Sequence, residues 1–177
     1  ARTSQAMAEN LEYAVSLEDK QNPYFEVVDA YRLRWMEVPY EAGELKVVAY
    51  QGGEPIGEAL VSTAGAPFQL RIQPDRTRLK ADGMDLCYVT LTMMDEEGHV
   101  CPLAMDMLTY HVEGSARLMG VANGNQMGHD VFTDETHRLF YGKAVAVLRS
   151  IPGTSGPARL YVRSEGGIEA SLEIDFQ

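Results

Sequence analysis

The residues best suited to chemistry gather in two kinds of place. The first is the long irregular stretch from Gly120 to Lys143, which holds Asn123-Gly124-Asn125, His129-Asp130, Asp134-Glu135, His137 and Tyr141-Gly142. A long loop in a compact domain more often serves a function than a short one. Its amides and carboxylates suit sugar hydroxyls, and its imidazoles suit a metal. The competing reading is a plain turn. Asn-Gly is first of all a turn dipeptide, and His129 and His137 have neither HExxH spacing nor cysteine company. The second place is acidic: Asp82 with Asp85, and Asp95 with Glu96 and Glu97. Calcium takes several oxygen ligands of this kind, but EF-hand spacing is absent. Turn chemistry accounts for Asp82 and Asp95 without an ion. No metal ligand is assigned and no cofactor is expected.

Catalysis has no visible constellation. Glycoside hydrolysis needs two carboxyl groups converging on a cleft, one of them with a raised pKa. Here the acids fall in turns or alternate outward along strands, and adjacent pairs such as Asp95-Glu96 and Asp134-Glu135 diverge. The chain contains no Gly-x-Ser-x-Gly, phosphate loop or cysteine-histidine arrangement. No catalytic residue is assigned. Trp35 is the single tryptophan, with Tyr24, Tyr31, Tyr40 and Tyr50 near it in sequence. Flat aromatics stack on sugar rings, so Trp35 and Tyr40 join Asn123 and Asn125 as candidate carbohydrate contacts. A lone Trp within a strand is more often a core anchor, because aromatic side chains bury large areas.

The elements that must position these groups are strands. Cys87, Val89, Leu91 and Met93 share one face of a run whose other face carries Tyr88, Thr90, Thr92 and Met94. That two-residue period marks a strand with one buried side. The turn Ala81 to Asp85 precedes it and Asp95 to Gly98 follows it. The same pattern predicts strands over 68–73, 108–113, 116–121, 144–150, 158–164 and 169–176. Seven strands in about 110 residues match the size of an immunoglobulin-like sandwich. Upstream, 31–36, 44–50 and 56–63 read as strands, with the first two forming a hairpin around Val38 to Gly43. Residues 1–30 are ambiguous, with a weak strand over 11–17. The stretch Thr63-Ala64-Gly65-Ala66-Pro67 marks a boundary. The expected organisation is therefore all-β: an incomplete sandwich over 1–66 and an immunoglobulin-like sandwich over 67–177.

Composition narrows the partners. The net charge of −11 argues against nucleic acid and anionic membranes, whose phosphates call for clustered Lys and Arg. No run approaches the roughly 20 apolar residues of a membrane span. The start at Ala1, without Met or a signal peptide, reads as a processed or excised fragment. Cys87 and Cys101 invite a disulfide. If 86–95 and 99–108 pair as a hairpin, the two cysteines stand roughly 20 Å apart, so free thiols are expected.

Several of these residues also carry a resemblance. The stretch Trp35 to Tyr50, then Thr63-Ala64-Gly65, then Ala81-Asp82-Gly83-Met84-Asp85-Leu86 followed by Val89-Thr90, then Asn123-Gly124 and Tyr141-Gly142-Lys143, resemble the C-terminal β-sandwich region of glycoside hydrolase family 2 β-galactosidases. The resemblance covers about 31–177. It implies a multidomain, retaining, exo-acting parent whose (β/α)8 barrel carries two catalytic glutamates upstream of this region. None of the barrel's motifs falls on these residues, so no catalytic residue carries over. The implied partners are that barrel and the neighbouring domains, and the implied location is periplasmic or extracellular. The implied role is a non-catalytic accessory region supporting domain packing. Its rivals are a carbohydrate-binding module and an adhesin-like module that binds protein.

Overall fold

A computed structural model describes residues 38–177. The expected strand over 31–36, and Trp35 within it, lie outside the described residues. Every regular element among the described residues is a strand. A hairpin of β1 (Glu44–Gln51) and β2 (Glu54–Ser62) comes first. Next come β3 (Gln69–Pro74), β4 (Arg78–Leu79), β5 (Leu86–Met94), β6 (Met107–Gly114) and β7 (Ala116–Ala122). The chain ends with β8 (Thr136–Arg138), β9 (Lys143–Ser150), β10 (Gly156–Ser164) and β11 (Glu169–Phe176).

The hairpin closes at Gly52 and Gly53, whose φ angles of 60° and 87° suit residues without a Cβ. Leu45, Val47 and Ala49 face the same side as Val61, Ala59 and Gly57, their cross-strand partners. Lys46 and Glu58 form an ion pair of 2.6 Å on the other side. Among the described residues β1 and β2 pair only with each other, and Leu45, Tyr50, Ile56 and Val61 are exposed.

Residues 69–177 form two packed sheets. One has the order β4-β11-β10-β6-β8 and the other β3-β5-β9-β7. All pairs are antiparallel except β11 with β4. Alternation explains the core. Cys87, Val89, Leu91 and Met93 of β5 point inward, as do Ala144, Ala146 and Leu148 of β9. They meet Leu108 and Tyr110 of β6, Leu160 and Val162 of β10, and Ile174 and Phe176 of β11 in a single apolar cluster. A fully buried leucine or phenylalanine contributes about 1.5–3 kcal/mol, so this layer is the main source of stability. The seven strands expected for this region all form.

The expected pairing of 99–108 with 86–95 does not. Only the single bridge between Met94 and Val100 survives, after which Cys101 to Asp106 cross over and β6 enters the opposite sheet. Pro102 has no N–H to continue a ladder, and crossing covers the second side of the core. Cys87 and Cys101 are free and buried, so the expected thiols stand although the hairpin used to argue them does not. The return crossing, from β6 to β7, turns at Gly114 with φ 89°. A side chain there would strike the Pro157 carbonyl oxygen and come within 3.1 Å of Ala158 Cα.

Candidate functional site

The loop between β7 and β9 spends its amides on itself. Asn123 donates from Nδ2 to the Arg138 carbonyl at 2.9 Å, and its Oδ1 accepts the Asn125 N–H at 2.9 Å. Asn125 Oδ1 in turn accepts the Met127 N–H at 3.1 Å. These are consecutive Asx turns; they engage both ends of the Asn123 amide and the Oδ1 of Asn125. Of the other carbohydrate candidates, Tyr40 is 82% exposed and Trp35 lies outside the described residues.

The histidines of the loop do not converge. His137, on β8, is 2% exposed and faces the core, with Phe132 tilted against it at 5.8 Å between ring centroids. Both of its ring nitrogens lack a hydrogen-bond partner, and Asp130 Oδ2 is 3.9 Å from Nδ1, beyond hydrogen-bond reach. His129 is exposed. Among the described residues no three His, Cys, Asp or Glu side chains gather to hold a metal. The loop ends in a tight turn in which Phe140 and Lys143 exchange backbone bonds of 2.9 and 3.1 Å. Tyr141, with φ 49°, and Gly142, with φ 72°, form its tip.

The acidic residues act locally as well. Asp82 Oδ1 accepts the N–H groups of Met84 at 2.8 Å and Asp85 at 2.9 Å. Those two bonds hold its carboxyl below the usual carboxylate range. Asp85 Oδ2 accepts the Lys80 N–H at 3.0 Å, and its Oδ1 meets Arg76 at 3.2 Å. Glu96 and Glu97 stay exposed.

Asp95 is the exception in reach. It is 3% exposed, and its Oδ2 accepts the Gly65 N–H at 2.7 Å across thirty positions of sequence. Its Oδ1 accepts the His99 N–H at 2.7 Å, with His99 Nδ1 3.3 Å from Oδ2. The bond from Gly65, aided by those from His99, lowers its pKa. Asp95 therefore pins the stretch before β3 to the turn after β5. Sequence reading missed this role because nothing in local spacing reports a contact across thirty residues.

Neither thiol sits where a nucleophile would, since both are buried. Burial pushes Cys87 up to about 12, with the Asp75 carboxylate adding to the effect. Burial also raises Cys101, with Asp95 adding to it. A reactive cysteine needs the opposite environment, exposed and electropositive.

What fold and side chains define together is a β-sandwich whose polar side chains mostly bind backbone. Residues 70–173 match the glycoside hydrolase family 2 C-terminal domain 5, and the chain belongs to that family. Residues 14–57 match a domain of unknown function, DUF4982. The chain is 40% identical over 150 residues to the β-galactosidase BoGH2A of Bacteroides ovatus, covering 85% of this chain and 17% of that protein. It is 31% identical over 119 residues to a putative β-glucuronidase of Formosa agariphila, covering 67% of this chain and 11% of that protein. A solved glycosyl hydrolase family 2 member from Bacteroides cellulosilyticus superposes with a TM-score of 0.76 at 34% identity, covering 79% of this chain and 18% of that structure. The chain thus spans less than a fifth of the length of each of these relatives.

Proposed function

We propose that this chain is the accessory β-sandwich region of a family 2 glycosidase of the β-galactosidase kind, non-catalytic by itself and supporting the packing of the domains around it. The carrying observation is the match of residues 70–173 to a C-terminal domain that makes up a small part of whole glycosidases. The state of the carboxylates supports the same reading. A retaining glycosidase needs two carboxyl groups about 5–5.5 Å apart, one of them protonated for acid work. The buried carboxylate Asp95 is committed to Gly65 and His99, and its pKa is shifted down rather than up.

The test uses chromogenic β-galactoside and β-glucuronide with two proteins, the 177-residue chain and the full-length polypeptide. The chain should show no turnover, and the full-length protein should hydrolyse the galactoside. Turnover by the chain that disappears on substituting one Asp or Glu would overturn the proposal. Binding of a neutral galactan, seen by calorimetry and removed by Tyr40→Ala or Asn123→Ala, would favour a carbohydrate-binding module instead. Deleting the region from the full-length protein should lower its Tm.

A further inference from the structure

The two sheets treat charge differently. The four strands β3, β5, β7 and β9 contain four cations, Arg71, Arg117, Lys143 and Arg149, and no Asp or Glu. This occurs in a chain whose net charge is −11. The opposite sheet balances its charges, pairing Arg159 with Glu173 at 2.6 Å, Arg163 with Glu169 at 3.5 Å and Arg138 with Glu165 at 3.9 Å. None of the four cations on the smaller sheet has a carboxylate partner among the described residues, although Arg149 donates from Nε to the Gly83 carbonyl and Arg71 donates to Gln73 Oε1 at 2.8 Å.

Register places those cations on the outer face, in rows. Arg71, Thr92 and Lys143 form one row across three strands, and Arg149 faces Arg117 in another. Between them lie Gln73-Thr90-Val145-Ala122 and Tyr88-Val147-Gly120. Apart from Gln73 at its edge, the centre is thus small, apolar or hydroxylated, with Tyr88 47% exposed. Three margins carry acids, one of them the turn with Asp82 and Asp85 whose Gly83 carbonyl accepts from Arg149. Asp75, beyond the end of β3, is held by the Tyr88 N–H at 3.0 Å and by Arg76 at 3.5 Å. Asp130 and Asp134 flank Phe132, whose carbonyl accepts the Val121 N–H at the free edge of β7. An apolar centre with a charged rim, rich in Tyr and Arg, is the anatomy of a protein interface.

Area decides what kind of partner fits. Four strands at about 4.8 Å spacing, over the six residue steps from Lys143 to Arg149 at about 3.3 Å each, give a face of roughly 400 Å², or about 800 Å² counting both partners. That is below the ~1,200–2,000 Å² of stable complexes between free proteins and within the ~600–1,500 Å² of interfaces between domains of one chain. A second copy would oppose cations to cations.

We propose that the outer face of the β3-β5-β9-β7 sheet docks an acid-rimmed surface of another domain of the same polypeptide, outside these 177 residues. This rests on the accessory reading above and specifies the surface through which it operates.

Hydroxyl-radical footprinting of Tyr88, in the isolated chain and in the full-length protein, tests it. Tyr161 on the opposite sheet and Tyr50 on the hairpin serve as internal references. Labelling of Tyr88 should fall roughly threefold or more in the full-length protein, since side chains at an interface centre lose most of their exposure. The double change Arg71→Glu with Lys143→Glu should restore the labelling without lowering the Tm of the isolated chain. Equal labelling of Tyr88 in both proteins, with Tyr161 or Tyr50 protected instead, overturns this proposal and leaves the accessory reading standing. No protection at any of the three, with no Tm loss on deleting the region, removes both. Polygalacturonate protecting Tyr88 in the isolated chain, while Tyr88 stays open in the full-length protein, would make the face a glycan site and overturn the proposal as well.

Discussion

Gly142 offers a direct test of how the long loop is held against the sandwich. Its φ of 72° lies in the left-handed region, its N–H donates to the Ala104 carbonyl at 3.0 Å, and its carbonyl accepts the Met93 N–H at 2.8 Å. An added Cβ would strike the Cys101 carbonyl oxygen and lie 3.1 Å from the Cys101 carbonyl carbon. Gly98 has a similar φ of 87°, but nothing stands within 4 Å of the corresponding position. Gly98→Ala should therefore cost only the left-handed backbone, about 1–2 kcal/mol. Gly142→Ala should cost the same plus roughly 1–3 kcal/mol for pushing two backbone segments apart, about 2–5 kcal/mol in total. At about 4 °C per kcal/mol for a domain of this size, the Tm losses are roughly 4–8 °C and 8–20 °C. Urea unfolding of the 177-residue chain, followed by both circular dichroism and intrinsic fluorescence, gives the free energies if the two probes coincide. Equal losses for the two variants would refute the close packing of Cys101 on the Tyr141-Gly142 turn.

Asp95 should shape the acid limb of stability. Its folded pKa is depressed, so its contribution is complete above the unfolded value of about 3.9 and is lost as pH falls through the folded value. Asp95→Asn should flatten the fall of Tm below about pH 4, and it should speed hydrogen exchange at the Gly65 amide. An unchanged acid limb would detach Asp95 from that bond. Cys87 and Cys101 should resist a thiol reagent at pH 8 in the native state and both react once urea unfolds the chain, because burial raises both pKa values. Rapid native labelling of Cys87 would contradict its place in the core. Leu160→Ala, at the centre of β10, should cost about 2–5 kcal/mol by leaving a cavity between the sheets. A loss under about 1 kcal/mol would mean that the layer collapses freely around the site.

The sandwich was legible because its strands are long and half-buried. β5, β9, β10 and β11 alternate over eight or nine residues, and that period survives without knowledge of the neighbours. β4 and β8, of two and three residues, are too short to show a period. The crossing after Met94 was illegible for another reason. Asp95 to Gly98 closes a turn whether the chain returns to the same sheet or leaves it, and Pro102 and the buried Cys101 decide in favour of leaving. The polar loop was harder to read because Asn123 and Asn125 are as fit for sugar hydroxyls as for backbone. Their partners, Arg138 across the loop and the amides two residues on, become visible only in three dimensions.

The basic face was hidden in a similar way. Arg71, Arg117, Lys143 and Arg149 are spread over nearly eighty positions, and each looks like an ordinary outward residue of its own strand. Only the order β3-β5-β9-β7 and its register gather them around Val145 and Val147. Burial of that small apolar centre supplies attraction but little direction, since the hydrophobic effect is non-directional. The cations, which have no carboxylate partner among the described residues, supply direction. The opposite sheet, with Arg159 and Arg163 already matched to Glu173 and Glu169, has no comparable excess of one sign to offer. Under the docking proposed above, the chain itself would hold the domain close to its neighbours, and choosing between two faces of similar size would be a problem of orientation more than of affinity. Segregating positive charge on one face of an acidic molecule favours one orientation and opposes cation-bearing surfaces in the other.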